Sequence, residues 1–229
     1  MAMILGKPMI GHVYEKVSLA KSLDLVCVAT CDLEIYQYIK SIGGCAVMTR
    51  DDHERASDRC SEAVAKLEVE DGVKYDIVVM VQGDEPLIHP DMIDEAVQPM
   101  ICDPDIQVIN LLGEICSEAE FNDRNCIKVV HDLNFNALYF SREPIPTRSK
   151  NRFVAMGKQV CVIPFRRDYL VRYNQMRPTP LEIIESIDMM RILEHGGQVK
   201  MVKTSFVTQS VDTLEDLIIV ENSIKSSGV

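Results

Sequence analysis

A continuous apolar run, YDIVVMV at residues 75–81, leads directly into Gln82-Gly83-Asp84-Glu85-Pro86. If the run is a strand, Asp84 lies at its carboxyl end, the edge of an open α/β sheet where ligands bind. A carboxylate there is a natural ligand for Mg²⁺, which takes one or two protein carboxylates and leaves its other positions to water and substrate phosphates. The competing reading is an aspartate that only caps the turn before Pro86. A second candidate is Asp212, in QSVDTLEDL (209–217), placed between a strand and a helix just ahead of Thr213. Beside Asp84 it would complete a metal site for a nucleotide's phosphates. By itself it is an ordinary acid at a helix start, favoured there by capping and by the dipole. Spacing does not say whether the two meet.

Three cationic positions could serve an anionic ligand. Arg59 follows the polar stretch TRDDHERAS (49–57), one turn into a helical pattern, within reach of a base or phosphate or simply on a solvated helix face. Lys128 in CIKVVHD and Arg142 in LYFSREPIP stand in strand contexts. A cation projecting from a sheet can mark an anion site, and it can equally snorkel to the edge. The five histidines form no catalytic pairing, and His195 is explained by the favourable end of a helix.

These side chains need a frame. The runs at 23–30, 45–50 and 75–81 are strand-like, and the segments 9–21, 32–42 and 58–69 between them carry helical spacing. Strands alternating with helices predict a parallel, right-handed α/β sheet covered on both faces. After residue 105 several strand-like runs follow with little helix between them, which predicts an antiparallel excursion. Two capped helices then close the chain. The first begins at Thr179-Pro180-Leu181-Glu182, with Pro at the first helical position and Glu three residues after the cap, and stops at Gly196-Gly197. The second begins at Thr213-Leu214-Glu215-Asp216 in the same way.

Composition narrows the function. The 229 residues suffice for one sizeable core, so one domain over 1–229 is expected. With 24 Lys and Arg against 35 Asp and Glu, the net charge of −11 argues against a nucleic-acid partner. It leaves room for a small anion held by a few local cations. The eight cysteines form no C-x-x-C pair and no zinc spacing, and several sit in apolar runs. They read as small buried hydrophobes in a reducing cytoplasm. No apolar run approaches membrane-spanning length.

Taken in order, GKPMIGHVYEK, TRDDHERASDR, VVMVQGDEP, NCIKVV, ALYFSREPIP, TPLEIIESIDMMRILEHG and SVDTLEDL resemble the 3-deoxy-manno-octulosonate (Kdo) cytidylyltransferases. The resemblance covers essentially the whole chain. It implies a nucleotidyltransferase fold, a Rossmann-like three-layer α/β sandwich with a mostly parallel sheet and a small antiparallel element used for homodimerisation. It implies attack of the anomeric hydroxyl of an acidic eight-carbon sugar on the α-phosphate of CTP, with Mg²⁺ and release of pyrophosphate, for lipopolysaccharide synthesis in the cytoplasm. By the same resemblance Asp84 and Asp212 would hold the metal and act in catalysis together with Lys128. Arg59, Gln82, Arg142, Gln159, Glu182 and Glu185 would contact nucleotide or sugar, although Glu182 is also explained as a helix cap.

Two departures from the family pattern qualify this. Gly6-Lys7-Pro8-Met9-Ile10 matches the second of two similar family motifs, so the first strand and phosphate-binding loop are expected to be missing from the chain as given. A chain without that buried strand would be less stable than one with it. The stretch Lys158–Phe165 also differs from the family's HIGIYAYR-like segment near the sugar, which points to a variant such as the 8-amino sugar. The alternatives are a cytidylyltransferase for another acidic sugar, a nonulosonate, and an inactive family member that only folds and pairs.

Overall fold

The computed structural model describes residues 1–148 and 156–226. After a short hairpin, β1 (Met3–Ile4) and β2 (Lys7–Pro8), the chain alternates helix and strand: α1 (Met9–Val17), β3 (Cys27–Thr30), α2 (Leu33–Ser41), β4 (Cys45–Met48), α3 (Ala56–Asp71), β5 (Ile77–Val81) and α4 (Pro90–Cys102). The expected strands at 23–30, 45–50 and 75–81 are all present, each shorter than its apolar run. Helix α3 stops at Gly72, whose φ of 67° supplies the left-handed turn that a side chain would resist. Helix α4 was not expected from spacing; it begins on Pro90, with His89 accepting the N–H of Asp91.

The second half holds the expected antiparallel excursion. It comprises β6 (Ile109–Glu114), α5 (Glu118–Asn122), β7 (Lys128–His131), β8 (Ala137–Ser141), β9 (Gly157–Val160) and β10 (Val162–Arg166). Parallel pairing is found at β3–β4 and between β6 and the later β11 (Lys200–Lys203). Pairs β5–β10, β6–β9, β7–β8 and β7–β9 are antiparallel, so the sheet is mixed and its antiparallel part is larger than the alternation suggested. Strands β9 and β10 form one bent strand interrupted at Cys161. Its first half pairs with β6 and β7 and its second half with β5.

Helices cover both faces. On one, Val13 and Val17 of α1 and Met92, Ile93, Ala96, Val97 and Met100 of α4 pack on Ile109, Leu111, Val160 and Val162. On the other, α6 (Arg167–Gln175) and α8 (Asp188–Glu194) bring Tyr169, Leu170, Tyr173, Met189, Met190 and Ile192 onto Met80, Val108, Leu112, Ile163 and Phe165. Alternate residues of β6 and β10 thus enter opposite cores, which is why these strands read as continuous apolar runs.

The first closing helix is broken in two. The pattern LEIIESIDMMRILEHG becomes α7 (Pro180–Glu185) and α8, separated by Ser186 at φ 54° and Ile187. The break folds α8 back so that Arg191 donates to Glu182 from Nε (2.7 Å) and Nη2 (2.6 Å). Both side chains are nearly inaccessible to water, and Arg191 also lies over the ring of Tyr173. Glu182 accepts the N–H of Thr179 as its capping role requires, while Glu194 takes the N–H groups of Leu181 and Glu182. The last helix, α9 (Leu214–Ser226), starts as expected, with Thr213 and Asp216 capping each other reciprocally. Among the described residues no helix is long and apolar enough to cross a membrane.

Removing one member of a buried, bidentate ion pair leaves the other charge stranded, at a cost of about 3–5 kcal/mol. Glu182→Ala is therefore expected to lower unfolding stability by about that amount, read as a fall in the urea midpoint. An unchanged midpoint would return Glu182 to a role in ligand contact.

Candidate functional site

Strand β5 delivers Gln82, Gly83 and Asp84 to the carboxyl edge of the sheet, where they line the mouth of a cavity of about 880 Å³ together with Arg59 of α3 and Thr30 of β3. The strand reaches this point because its β10 partner holds it to the end, where the Gln82 N–H still donates to the Cys161 carbonyl at 3.4 Å. Gly83 approaches Ile10 of α1 so closely that a Cβ would sit 3.1 Å from its Cδ1.

The two aspartates do meet. The loop preceding α9 returns to this edge, and the N–H of Val211 donates to the carbonyl of Asp84 at 2.9 Å. Asp212 is exposed, held by Ser210 Oγ at 3.2 Å, and its charge is felt at Asp84. Burial first, then the Asp212 charge, push the Asp84 carboxyl above the ordinary carboxylate range. Asp84 Oδ1 is buried and has no hydrogen-bond partner. A desolvated carboxylate oxygen with no donor, within the field of a second carboxylate, is a repulsive arrangement that a divalent cation would relieve.

Sequence reasoning passed over Glu85. It is 6% exposed, and burial pushes its carboxyl up to about 7, partly offset by the hydroxyl of Thr208 and reinforced by Asp84 and Asp212. The signal was present in QGDEP, where a second acid beside a strand end invited the question. Half-buried Cys161 has its thiol pushed well up by desolvation and by Glu85, Asp84, Asp188 and Asp212. Asp188 was likewise missed. Its carboxyl is raised by burial, tempered by Arg55 at 3.4 Å and by Ser57 Oγ at 3.1 Å.

The remaining candidates are engaged within the protein. Arg59 donates to Thr49 Oγ1 and to the Arg50 carbonyl, which holds its guanidinium at the cavity mouth. Gln159, on β9, donates to Asn110 Oδ1 at 2.5 Å. Its neighbour Lys158 is ion-paired with Glu120. Lys128 is wholly buried, and its three ammonium protons are taken by the carbonyls of Asp123, Cys126 and Arg142. That arrangement clamps the loop 123–126 to β8's end and engages all three protons of Lys128 within the protein. Arg142 donates to the carbonyls of Glu185 (2.7 Å), Arg124 (3.0 Å) and Ser186 (3.3 Å). Glu185 in turn accepts from Tyr139, Ser141 and the Arg142 N–H. With Glu182 held by Arg191, these residues form a second polar cluster around the break between α7 and α8. The sequence-derived set is therefore divided: Asp84, Asp212, Gln82 and Arg59 gather at one edge, while Arg142, Glu182 and Glu185 brace a corner.

Comparison with known proteins points to one family. A family model described as cytidylyltransferase matches residues 1–205. A 3-deoxy-manno-octulosonate cytidylyltransferase of Pelobacter propionicus is 42% identical over 229 aligned positions, spanning 95% of this chain and 88% of that protein. The counterpart in Geotalea daltonii is 40% identical, spanning 100% of this chain and 92% of its own length. Among solved structures, CMP:2-keto-3-deoxy-manno-octonic acid synthetase complexed with CTP superposes with a TM-score of 0.89 at 35% identity, over 99% of this chain and 91% of the other. The fold alone is shared with 4-diphosphocytidyl-2C-methyl-D-erythritol synthase of Anaerococcus prevotii, at a TM-score of 0.65 and 12% identity. An acid-bearing strand end facing a cavity, a returning aspartate and whole-length similarity lead to one conclusion: the chain belongs to the cytidylyltransferase family of nucleotidyltransferases.

Proposed function

We propose that this protein transfers CMP from CTP to the anomeric hydroxyl of 3-deoxy-manno-octulosonate, or of a close variant such as its 8-amino form, releasing pyrophosphate. The observation that supports this reading is that the Asp212 loop is hydrogen-bonded to Asp84, whose Oδ1 is buried without a partner and whose carboxyl feels the Asp212 charge. The similarity to named Kdo cytidylyltransferases supplies the substrate pair. The departure at Lys158–Phe165 leaves the variant sugar open.

A divalent cation, Mg²⁺ by the oxygen chemistry of its donors, would be held by Asp84 and Asp212, and when bound it neutralises charge on the nucleotide phosphates. Two protein carboxylates suit Mg²⁺, which fills its other positions with water and phosphate oxygens. Arg59 and Gln82 line the same cavity as Asp84 and would orient a nucleotide there. Buried Glu85, its carboxyl pushed up to about 7 by burial and held by the Thr208 hydroxyl, adds less than a full third charge there. Nucleotidyl transfer asks mainly for positioning and charge neutralisation, which this edge provides.

Cytoplasmic location belongs to the same reading, supported by eight free thiols, among them Cys27 and Cys45 opposite one another on β3 and β4. Homodimerisation does too. Exposed Leu138 on β8 and Ile183 and Ile184 on α7 are apolar residues that a second copy would cover.

Two measurements test the site. Pyrophosphate release with CTP, Mg²⁺ and the sugar acid is expected to fall by roughly 10²–10³-fold or more in Asp84→Ala and in Asp212→Ala, the scale of losing a principal electrostatic contact. Activity that survives both substitutions would remove the metal assignment.

The second concerns Glu85, whose folded pKa near 7 lies above the usual carboxylate value. The unfolded chain then releases this proton first, so Glu85 contributes stability below about pH 4.5 that is lost as pH rises through about 7. Glu85→Gln should flatten the fall in stability across that window, a difference on the order of 3 kcal/mol at its upper end. Parallel pH profiles of urea midpoints for the two proteins would show that Glu85 is not buried in this way.

A further inference from the structure

The sheet sets two of the thiols against each other. Cys27 and Cys45 are Cα partners in the parallel ladder of β3 and β4, whose register runs on to Thr30 and Met48. Side chains at matched positions of a parallel pair leave the sheet on one face, with neighbouring strands about 4.8 Å apart. Here that face is covered by α3: Cys27, Ala29 and Cys45 pack with Val47, with Ala63 and Leu67 of α3, and with Tyr75. Both cysteines are half-buried. Burial, and then a hydrogen bond shared with the Cys45 sulfur, push the Cys27 thiol well above its ordinary range.

The backbone fixes both positions. The ladder closes with the Thr49 N–H on the Thr30 carbonyl at 2.9 Å, and the Cys45 N–H donates to the Tyr14 hydroxyl at 3.2 Å. Two charges act on the pair from the covering helices: Lys40 of α2 favours thiolate at Cys27, and Glu70 of α3 opposes it. Other thiols are differently placed. Cys102 and Cys116 are exposed, the first accepting from Gln98 at 3.4 Å and the second donating to the Glu114 carbonyl at 3.6 Å.

Spacing decides what can join the two sulfurs. A disulfide asks for Cβ atoms about 3.5–4.5 Å apart, closer than matched parallel positions at about 4.8 Å supply. A metal–thiolate bond is about 2.3 Å long, so two thiolates on opposite sides of one ion stand about 4.6 Å apart. That separation is the strand spacing itself. The donors select the ion, because a pair of thiolates in an apolar shell suits a soft cation and not one that seeks oxygen ligands.

We infer that Cys27 and Cys45 form a binding site for one soft monovalent metal ion of the Cu(I) type, held between their sulfurs. On binding, two S–H bonds break and two metal–sulfur bonds form. Both protons pass to solvent, and the copper remains Cu(I), so no electrons are transferred. The complex carries one negative charge, which Lys40 offsets in part. Cys27 stands three residues before Thr30, about 10 Å along the strand from the mouth of the candidate site, so the two sites are separate.

The test titrates the full, reduced chain with Cu(I) under anaerobic conditions, against a competing Cu(I) chelator such as bathocuproine disulfonate. One equivalent is expected to resist the chelator and to show only sulfur neighbours in X-ray absorption. Cys27→Ser, Cys45→Ser and the double variant should each lose that same equivalent, because neither sulfur holds the ion alone. The loss in affinity should exceed the roughly 10–100-fold that removing an outer-shell partner costs a metal site. Cys27→Val keeps an apolar group under α3 and should lose the equivalent while staying folded, so instability of a serine variant does not decide the result. Cys102→Ser and Cys116→Ser should retain it. Cu(I) should also raise the thermal midpoint of the parent chain but not of Cys27→Val, since the ion binds only the folded pair. Retention of the resistant equivalent in either Cys27 variant or in Cys45→Ser would overturn the inference. So would a pair already joined as a disulfide in the purified protein, seen as two missing hydrogens that dithiothreitol restores. None of these readouts depends on nucleotidyl transfer, so failure here and failure of the proposed function are separate results.

Discussion

The pairing of β5 with β10 is the interaction on which the rest of the molecule depends. It is an antiparallel ladder from Ile77 to Val81 that continues at both ends through Asp76 and Gln82. It ties the first half of the chain to the second, because β10 is the far end of a bent strand whose near end pairs with β6 and β7. It also fixes where β5 stops, and so where Asp84 and Glu85 stand. With one edge of β5 committed to β10, its other side lines the cavity shared with β3.

From that ladder the electrostatics follow. Strand ends carry their loops to one edge of the sheet, and there the protein collects Asp84, Glu85 and Asp212 with Asp188 nearby. An acidic cluster partly removed from water is unfavourable by itself, through both desolvation and mutual repulsion. The protein tolerates it by raising Glu85 toward neutrality and by leaving Asp212 at the solvent. The opposite corner shows the contrasting solution: Glu182 and Arg191, both buried, satisfy one another bidentately, and Lys128 spends its protons on three carbonyls. Charges that are fully paired support structure, and the unpaired ones mark chemistry.

Several parts of this were legible in the amino-acid order. The β3, β4 and β5 runs and the helices between them follow from apolar periodicity, and the start of α9 from Thr213 and Asp216. The break between α7 and α8 was not, because LEIIESIDMMRILEHG keeps helical spacing across Ser186. Tertiary packing overrides that spacing there by bringing Arg191 onto Glu182. Helices α4 and α6 were passed over for a related reason: their apolar faces are set by what they cover.

The sequence by itself determined that a carboxylate would stand at the end of a buried strand, since a local run of β-branched residues and the QGDEP turn are enough to place Asp84 relative to its own element. It also carried the family, because motifs in order survive without any knowledge of contacts. Only the tertiary structure decided which charges meet. Asp84 and Asp212 are brought near one another by a backbone hydrogen bond from Val211, while Lys128, Arg142, Glu182 and Glu185, equally plausible in the sequence, are engaged by partners that only folding supplies. Spacing is a property of neighbours along the chain. The state of a charge is set by burial and by partners that folding supplies, and those are fixed only when the sheet closes around them.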